Sequence, residues 1–195
     1  MKHTFRITIV LALVGCSSAK PKSYVVHQDE AKGVVMRFLI NPDGVVDGFL
    51  LINGMQVKFP PHMASQLTSI IAPTDKVSLI GFQENKMLFE AETVVNQKTF
   101  RTLAVIDPIP PDPPPIDHKG LHKLSSHGTV QIQLLGRRGE INGVVLKNGS
   151  IVMFGPHLPA ELKVQTGIGQ HIEASGYGTE NSYGQSIDAT EMSNF

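Results

Sequence analysis

Asp47-Gly-Phe-Leu-Leu-Ile-Asn-Gly-Met-Gln-Val-Lys-Phe-Pro-Pro-His62 and Asn142-Gly-Val-Val-Leu-Lys-Asn-Gly-Ser-Ile-Val-Met-Phe-Gly-Pro-His157 are the two stretches that decide the fold. They align without a gap at a constant offset of 95 residues. Gly48 falls on Gly143, Leu51 on Leu146, Asn53 on Asn148 and Gly54 on Gly149. Val57 falls on Val152, Phe59 on Phe154, Pro61 on Pro156 and His62 on His157. The same offset carries Leu67 onto Leu162 and Gly81 onto Gly176, and it reaches back to Gly44 and Gly139. Self-similarity held in one register is the mark of an internal duplication. The chain therefore contains two copies of one module.

Each copy reads strand, strand, strand, helix, strand, strand. In the first copy Val34 to Ile40 is rich in β-formers, and Asn41-Pro42-Asp43-Gly44 has turn composition. A second strand is expected over Val45 to Ile52. Asn53-Gly54 then marks a hairpin of type I′, whose two central positions need positive φ, and Gln56 to Phe59 returns as the third strand. Proline is tolerated at the first turn of a helix. Pro60-Pro61 can thus open one, in which Met63, Leu67, Ile70 and Ile71 recur at helical spacing. After Pro73-Thr74-Asp75, strands are expected over Lys76 to Phe82 and Met87 to Val95. The second copy repeats the order with Val130 to Leu135, Ile141 to Leu146, the Asn148-Gly149 turn, Ile151 to Phe154, a helix over Pro159 to Val164, and Gln170 to Ser175. Its fifth strand is weak, and the polar Ser182 to Phe195 stretch is expected to fray.

This order predicts a mainly β fold: two tandem five-stranded OB-like barrels, each with a short helix between strands 3 and 4. An OB barrel is a small, partly open Greek-key barrel that binds through its strand 2–3 face and its L12 and L45 loops. Those loops are expected at Asn41–Gly44 with Gln83–Lys86, and at Gly136–Gly139 with Tyr177–Gly184. The pattern also resembles a group of uncharacterised bacterial OB-like proteins with a core built of Gly48, Leu50, Leu51, Gly54, Val57, Phe59, Pro60, Pro61, His62, Asp75, Val77 and Gly81. The second copy departs from it at Gly155 and Gln170. That resemblance implies a fold and no activity.

The N-terminus reads as a targeting segment. Lys2, His3 and Arg6 precede an apolar run from Ile7 to Val14, and small residues follow. This is the layout of a secretory signal, and the run is too short to span a bilayer as a helix. Leu13-Val14-Gly15-Cys16 resembles the bacterial lipobox, which implies cleavage before Cys16 and acylation of that cysteine. Cys16 is the only cysteine in the chain, so it has no disulfide partner and suits an attachment point. Ser17 in the following position implies, by the same resemblance, sorting to the outer membrane. The expected organisation is a signal peptide over 1–15, a lipid-anchored tether over 16–32, repeat one over 33–105, a linker over 106–118 and repeat two over 119–195. Asp107 to Asp117 holds six prolines in eleven residues. Such a run favours an extended, semi-rigid spacer and cannot continue a helix or a central strand.

Composition narrows the partners. Of the 17 basic residues, Lys2 and Arg6 lie in the signal, leaving 15 against 17 acidic ones and a mature net charge near −2. Non-specific nucleic-acid binding rests on phosphate neutralisation by Lys and Arg, and tryptophan is absent, so nucleic acid is a weak expectation. The two Phe-x-Pro-His elements, Phe59 with His62 and Phe154 with His157, are candidate ligand-lining residues at the helix start. The competing reading has the Phe close the barrel and the His pack beside it. His118 and His122 lack the cysteines or carboxylates of a zinc set and read as solvated linker histidines; no metal or cofactor is expected. Ser125-Ser126-His127 and Ser182 sit in polar segments without a nucleophile elbow. Gly167-Ile-Gly-Gln lacks the third glycine of a dinucleotide loop and reads as a turn. Lys119, Lys123, Arg137 and Arg138 gather near the linker as a small basic patch. The reading is a membrane-anchored, non-catalytic binding or scaffolding module of the bacterial envelope, with envelope proteins, cell-wall glycans or small anionic ligands as partners. The alternative is single-stranded nucleic-acid or oligosaccharide binding by the OB-type faces.

Overall fold

A computed structural model describes residues 28–106, 121–155 and 166–194. The first repeat contributes β1 (Asp29–Ile40), β2 (Val46–Leu51), β3 (Gln56–Lys58), a 3-10 turn at Pro61–Met63, α1 (Ala64–Ile70), β4 (Lys76–Asn85), β5 (Leu88–Asn96) and β6 (Thr102–Ala104). The second contributes β7 (His122–Leu135), β8 (Ile141–Leu146), β9 (Ile151–Met153), β10 (His171–Asn181) and β11 (Gly184–Asn194).

Both repeats close in the same way. β1 pairs antiparallel with β2 through its second half and with β4 through its first. β2 pairs with β3, β4 with β5, and β3 closes the barrel on β5 in parallel. β7 likewise pairs with β8 and β10, β8 with β9, β10 with β11, and β9 with β11 in parallel. This is the five-stranded OB-type Greek-key barrel, formed twice. β6 is an addition at the edge of β5.

The duplicated glycines have a steric cause. A Cβ on Gly48 would stand 2.3 Å from the Val57 carbonyl oxygen, and one on Gly143 would stand 2.7 Å from that of Val152. Only glycine lets β2 and β8 approach their third strands this closely. Leu67 and Ile70 in α1, with Met63 before it and Ile71 after it, all turn into the core. Asn96, buried at the end of β5, ties this region together by donating to the Ile70 carbonyl and to the Asp75 carboxylate, both at 2.9 Å.

Four expectations need correction. The Asn53-Gly54 hairpin is not type I′. Gly54 N–H donates to Leu51 O and Leu51 N–H to Met55 O, and only Gly54 of the central residues has positive φ, at 87°. This is a three-residue loop, a type I turn closed by a left-handed glycine. Asn148-Gly149, Asn41 to Gly44 and Gly136 to Gly139 show the same bonds. Second, 184–194 does not fray. β11 pairs with β10 along most of its length and with β9, and it buries Ser186, Ile187 and Ala189. Most of its polar residues stay at least partly exposed and only three residues are buried, so average polarity concealed the strand. Third, β7 starts at His122, which makes His122 and His127 strand residues. Ser126 is buried there and donates to Ser150 Oγ at 2.8 Å. Fourth, Lys123 and Arg137 lie at opposite ends of β7, so no patch joins them. The helix expected over Pro159 to Val164, His118, Lys119 and the proline run lie outside the described residues.

Candidate functional site: the seam between the barrels

The barrels pack directly on each other. Register places Arg37, Leu50 and Gln56 side by side on one face of the first barrel. It places Ile132, Val145 and Ile151 on the equivalent face of the second, each offset by 95. In-register strand neighbours share a face. Leu134, Val145 and Ile151 belong to the core cluster of the first repeat, apart from the second barrel's own core of Val130, Val144, Leu146, Val152, Phe154, Ile172, Ala174 and Ala189. Leu39 and Leu134 line the seam together, as do Ile40 and Leu135. The arrangement is quasi-isologous: the same patch of each repeat meets its sister, as in a twofold dimer.

Polar contacts fix the docking. Gln56 accepts from Leu135 N–H at 2.9 Å and donates to its carbonyl at 3.4 Å. Thr179 donates to Pro42 O at 2.7 Å and Asn181 to Gly44 O at 2.8 Å, so the L12 turn of the first barrel is bound by β10. Arg137 in the second L12 turn pairs with Glu90 at 2.5 Å. Phe38 meets Tyr183 edge to face with ring centres 5.4 Å apart. The strand 2–3 faces and the first L12 turn, usual contact surfaces of an OB barrel, are thus occupied by the sister repeat, whereas the second L12 turn is exposed from Arg137 to Gly139 apart from the Arg137–Glu90 pair.

Two cavities lie along the seam. The first, of about 80 Å³, is lined by Leu39, Ile40, Asp47, Gln56, Val57, Lys58, Leu134, Leu135, Asn142 and Met153. Burial pushes the Asp47 carboxyl from its ordinary 3.8 to about 6, against opposing pulls from its own backbone N–H and from Lys58. The second is a polar cleft of about 430 Å³, with Arg37 on one wall and the turns at Asn148–Ser150 and Asn181–Gln185 on the other. Arg37 is half-buried, and desolvation lowers its pKa below the usual arginine range. Its Nε donates to Phe38 O at 3.3 Å.

The sequence-predicted residues are elsewhere. Phe59 and Phe154 are 4% and 3% exposed and sit in the barrel cores, lining neither cavity. His62 is exposed in the 3-10 turn before α1. His157, Leu13, Val14, Gly15 and Cys16 lie outside the described residues. Among the described residues no group of three His, Cys, Asp or Glu could hold a metal ion, and no helix is long and apolar enough to cross a membrane. Gly167 to Gln170 forms a turn, with Gln170 N–H donating to Gly167 O. Sequence reading missed Arg37, Asp47 and Gln56. Their signal was the mismatches of the repeat alignment, where Ile132, Asn142 and Ile151 stand opposite.

No family model matches the chain and no curated protein matches it. Among solved structures, it is similar to a deletion variant of the single-stranded DNA binding protein from Thermus aquaticus. The two share 11% identity over 87% of this chain and 94% of that one, with a TM-score of 0.27. A likeness at that level carries no functional argument. The fold therefore rests on the strand pairing itself: this chain is a tandem pair of OB-type barrels fused face to face.

Proposed function

We propose that the chain is a lipid-anchored protein of the bacterial envelope whose fused barrel pair is a non-catalytic binding or scaffolding unit. The observation that carries the scaffold reading is the seam, where one buried cluster runs through both repeats. Two barrels sharing a core move as one body, and a rigid body suits the presentation of surfaces to envelope proteins or glycans. The anchor is supported by Leu13-Val14-Gly15-Cys16. Acylation with at least two chains holds firmly, because each buried methylene contributes about 0.8 kcal/mol. Residues 17–28 separate Cys16 from β1, which bounds the tether at roughly 40 Å when fully extended. The outer membrane is the destination that Ser17 favours.

The test is the mass of the mature protein from a bacterial membrane fraction, beside Cys16→Ala. A cut and acylated wild type with an unmodified variant is expected. An uncut or unlipidated wild type would remove the anchor.

Binding of single-stranded nucleic acid or oligosaccharide is the second reading, and the general use of OB barrels favours it. The covered strand 2–3 faces and the near-neutral charge weigh against it. No mobility shift of single-stranded DNA is expected at low salt. A salt-sensitive shift would reinstate it.

A further inference from the structure

We propose that the cleft around Arg37 is a binding site for a small oxyanion, a phosphate or carboxylate group held by the guanidinium. A guanidinium carries five N–H donors in a planar fork that matches such groups. Here only Nε has an acceptor, the adjacent Phe38 carbonyl. Among the described residues neither terminal nitrogen has a hydrogen-bond acceptor, and no carboxylate lies within ion-pair distance. Glu180 lines the cleft but makes no ion pair with it. The side chain is partly desolvated while the guanidinium lines the cleft, which leaves its fork available to an anion entering from solvent.

The two ends of the seam differ. By the offset of 95, Arg37 corresponds to Ile132 and Ser150 to Met55. Ile132 and Met55 both pack against the common core. The Met87 methyl covers Gly54, 2.9 Å from where its Cβ would stand. The first barrel's turns therefore present an apolar, filled surface, whereas the equivalent turns of the second present an open polar cleft. The guanidinium lies where those turns have no side chains. A Cβ on Gly149 would stand 3.4 Å from Nη1, and one on Gly184 would stand 3.2 Å from Nη2. Both glycines have positive φ, 92° and 129°, so side chains are disfavoured there for backbone reasons too.

This inference deepens the binding-unit reading and rests on it, but not on the anchor. The experiment titrates the full chain with inorganic phosphate and, separately, with acetate at constant ionic strength, reading the amide resonances of Gly149 and Gly184. The expected result is a saturable shift confined to the residues around the cleft. The phosphate and acetate arms tell a phosphoryl ligand from a carboxylate one. Arg37→Ile, which installs the side chain of the equivalent position, is expected to keep the fold and weaken binding about tenfold or more. Arg37→Lys keeps the charge without the fork and should fall between. If Arg37→Ile does not fold, Arg37→Gln gives the same reading. No saturable shift with either anion, or an unchanged one in the folded variants, overturns the site. Neither result alters the outcome at Cys16, so the two proposals fail separately.

Discussion

The two repeats share one fold and one docking face, yet they use that face differently. The second repeat presents Ile132, Leu134, Val145, Ile151 and Met153, all apolar. The first presents Arg37, Leu39, Leu50, Gln56 and Lys58 at the same positions, with Asp47 opposite Asn142. The conserved part of the face, Leu39 and Leu50 against Leu134 and Val145, holds the barrels together. The divergent part supplies Asp47 and Lys58 to the seam cavity and Arg37 to the cleft, whose other charged residue, Glu180, comes from the second repeat. In a duplicated molecule the matches report what the fold needs. The mismatches, once they are shown to share a surface, report what one copy has been released to do.

Truncating the shared part of the face has the largest expected effect. Leu50 is fully buried although it faces out of its own barrel. Leu50→Ala is expected to cost about 2–5 kcal/mol, the range for core leucines, in a urea titration of the full chain. A loss below about 0.5 kcal/mol, typical of surface positions, would mean that the barrels do not share a core.

The next largest lies in the divergent part. The Asp47 carboxyl is raised by burial from 3.8 to about 6. A raised acid stabilises the fold while it is protonated. That contribution is complete below pH 3.8 and is lost as pH rises through about 6. Asp47→Asn copies the second repeat and removes the dependence. It is expected to match the wild type near pH 4 and to be more stable by up to about 3 kcal/mol above pH 6, at 1.36 kcal/mol per pKa unit. Denaturation midpoints measured across that window check it, and parallel curves for the two proteins would count against a buried Asp47.

Gln56→Ile also makes the first face resemble the second. It leaves the Leu135 N–H and C=O without their partner, a loss of about 1–3 kcal/mol, whereas neutrality would show that the Gln56 bonds are dispensable. The smallest effect is expected at Arg137→Ala. The Arg137–Glu90 pair is solvent-facing, and exposed pairs contribute about 0–1 kcal/mol. A larger loss of stability in the same titration would promote the L12 turns to a main support of the seam.

Much of the fold was legible because duplication writes each element twice. The turn glycines and the β-rich runs reappear at a single offset, and of the apolar spacing before Ile71, Met63 and Leu67 reappear as Leu158 and Leu162. The misreadings have local causes. β11 was obscured because its inward residues, Ser186, Ile187 and Ala189, are small or interrupted by polar neighbours. Ser126 looked like loop because a buried hydroxyl bonded to Ser150 is indistinguishable in composition from an exposed one. The hairpin at Asn53-Gly54 was placed correctly, but its turn type depends on backbone angles that the dipeptide alone does not set.

By itself the sequence determined that there are two copies of one β-rich module, with OB-type strand order, behind a segment resembling a lipoprotein signal. These follow from periodicity and composition, which are local properties of the chain. Only the tertiary structure decided that the barrels lie face to face, that their strand 2–3 faces cover each other, and that Arg37, Asp47 and Gln56 share one seam. Arg37 meets Gly149 and Gly184 across a distance in sequence that no pattern spans. Such contacts are set by how two folded surfaces fit, and the fit exists only once both barrels have formed.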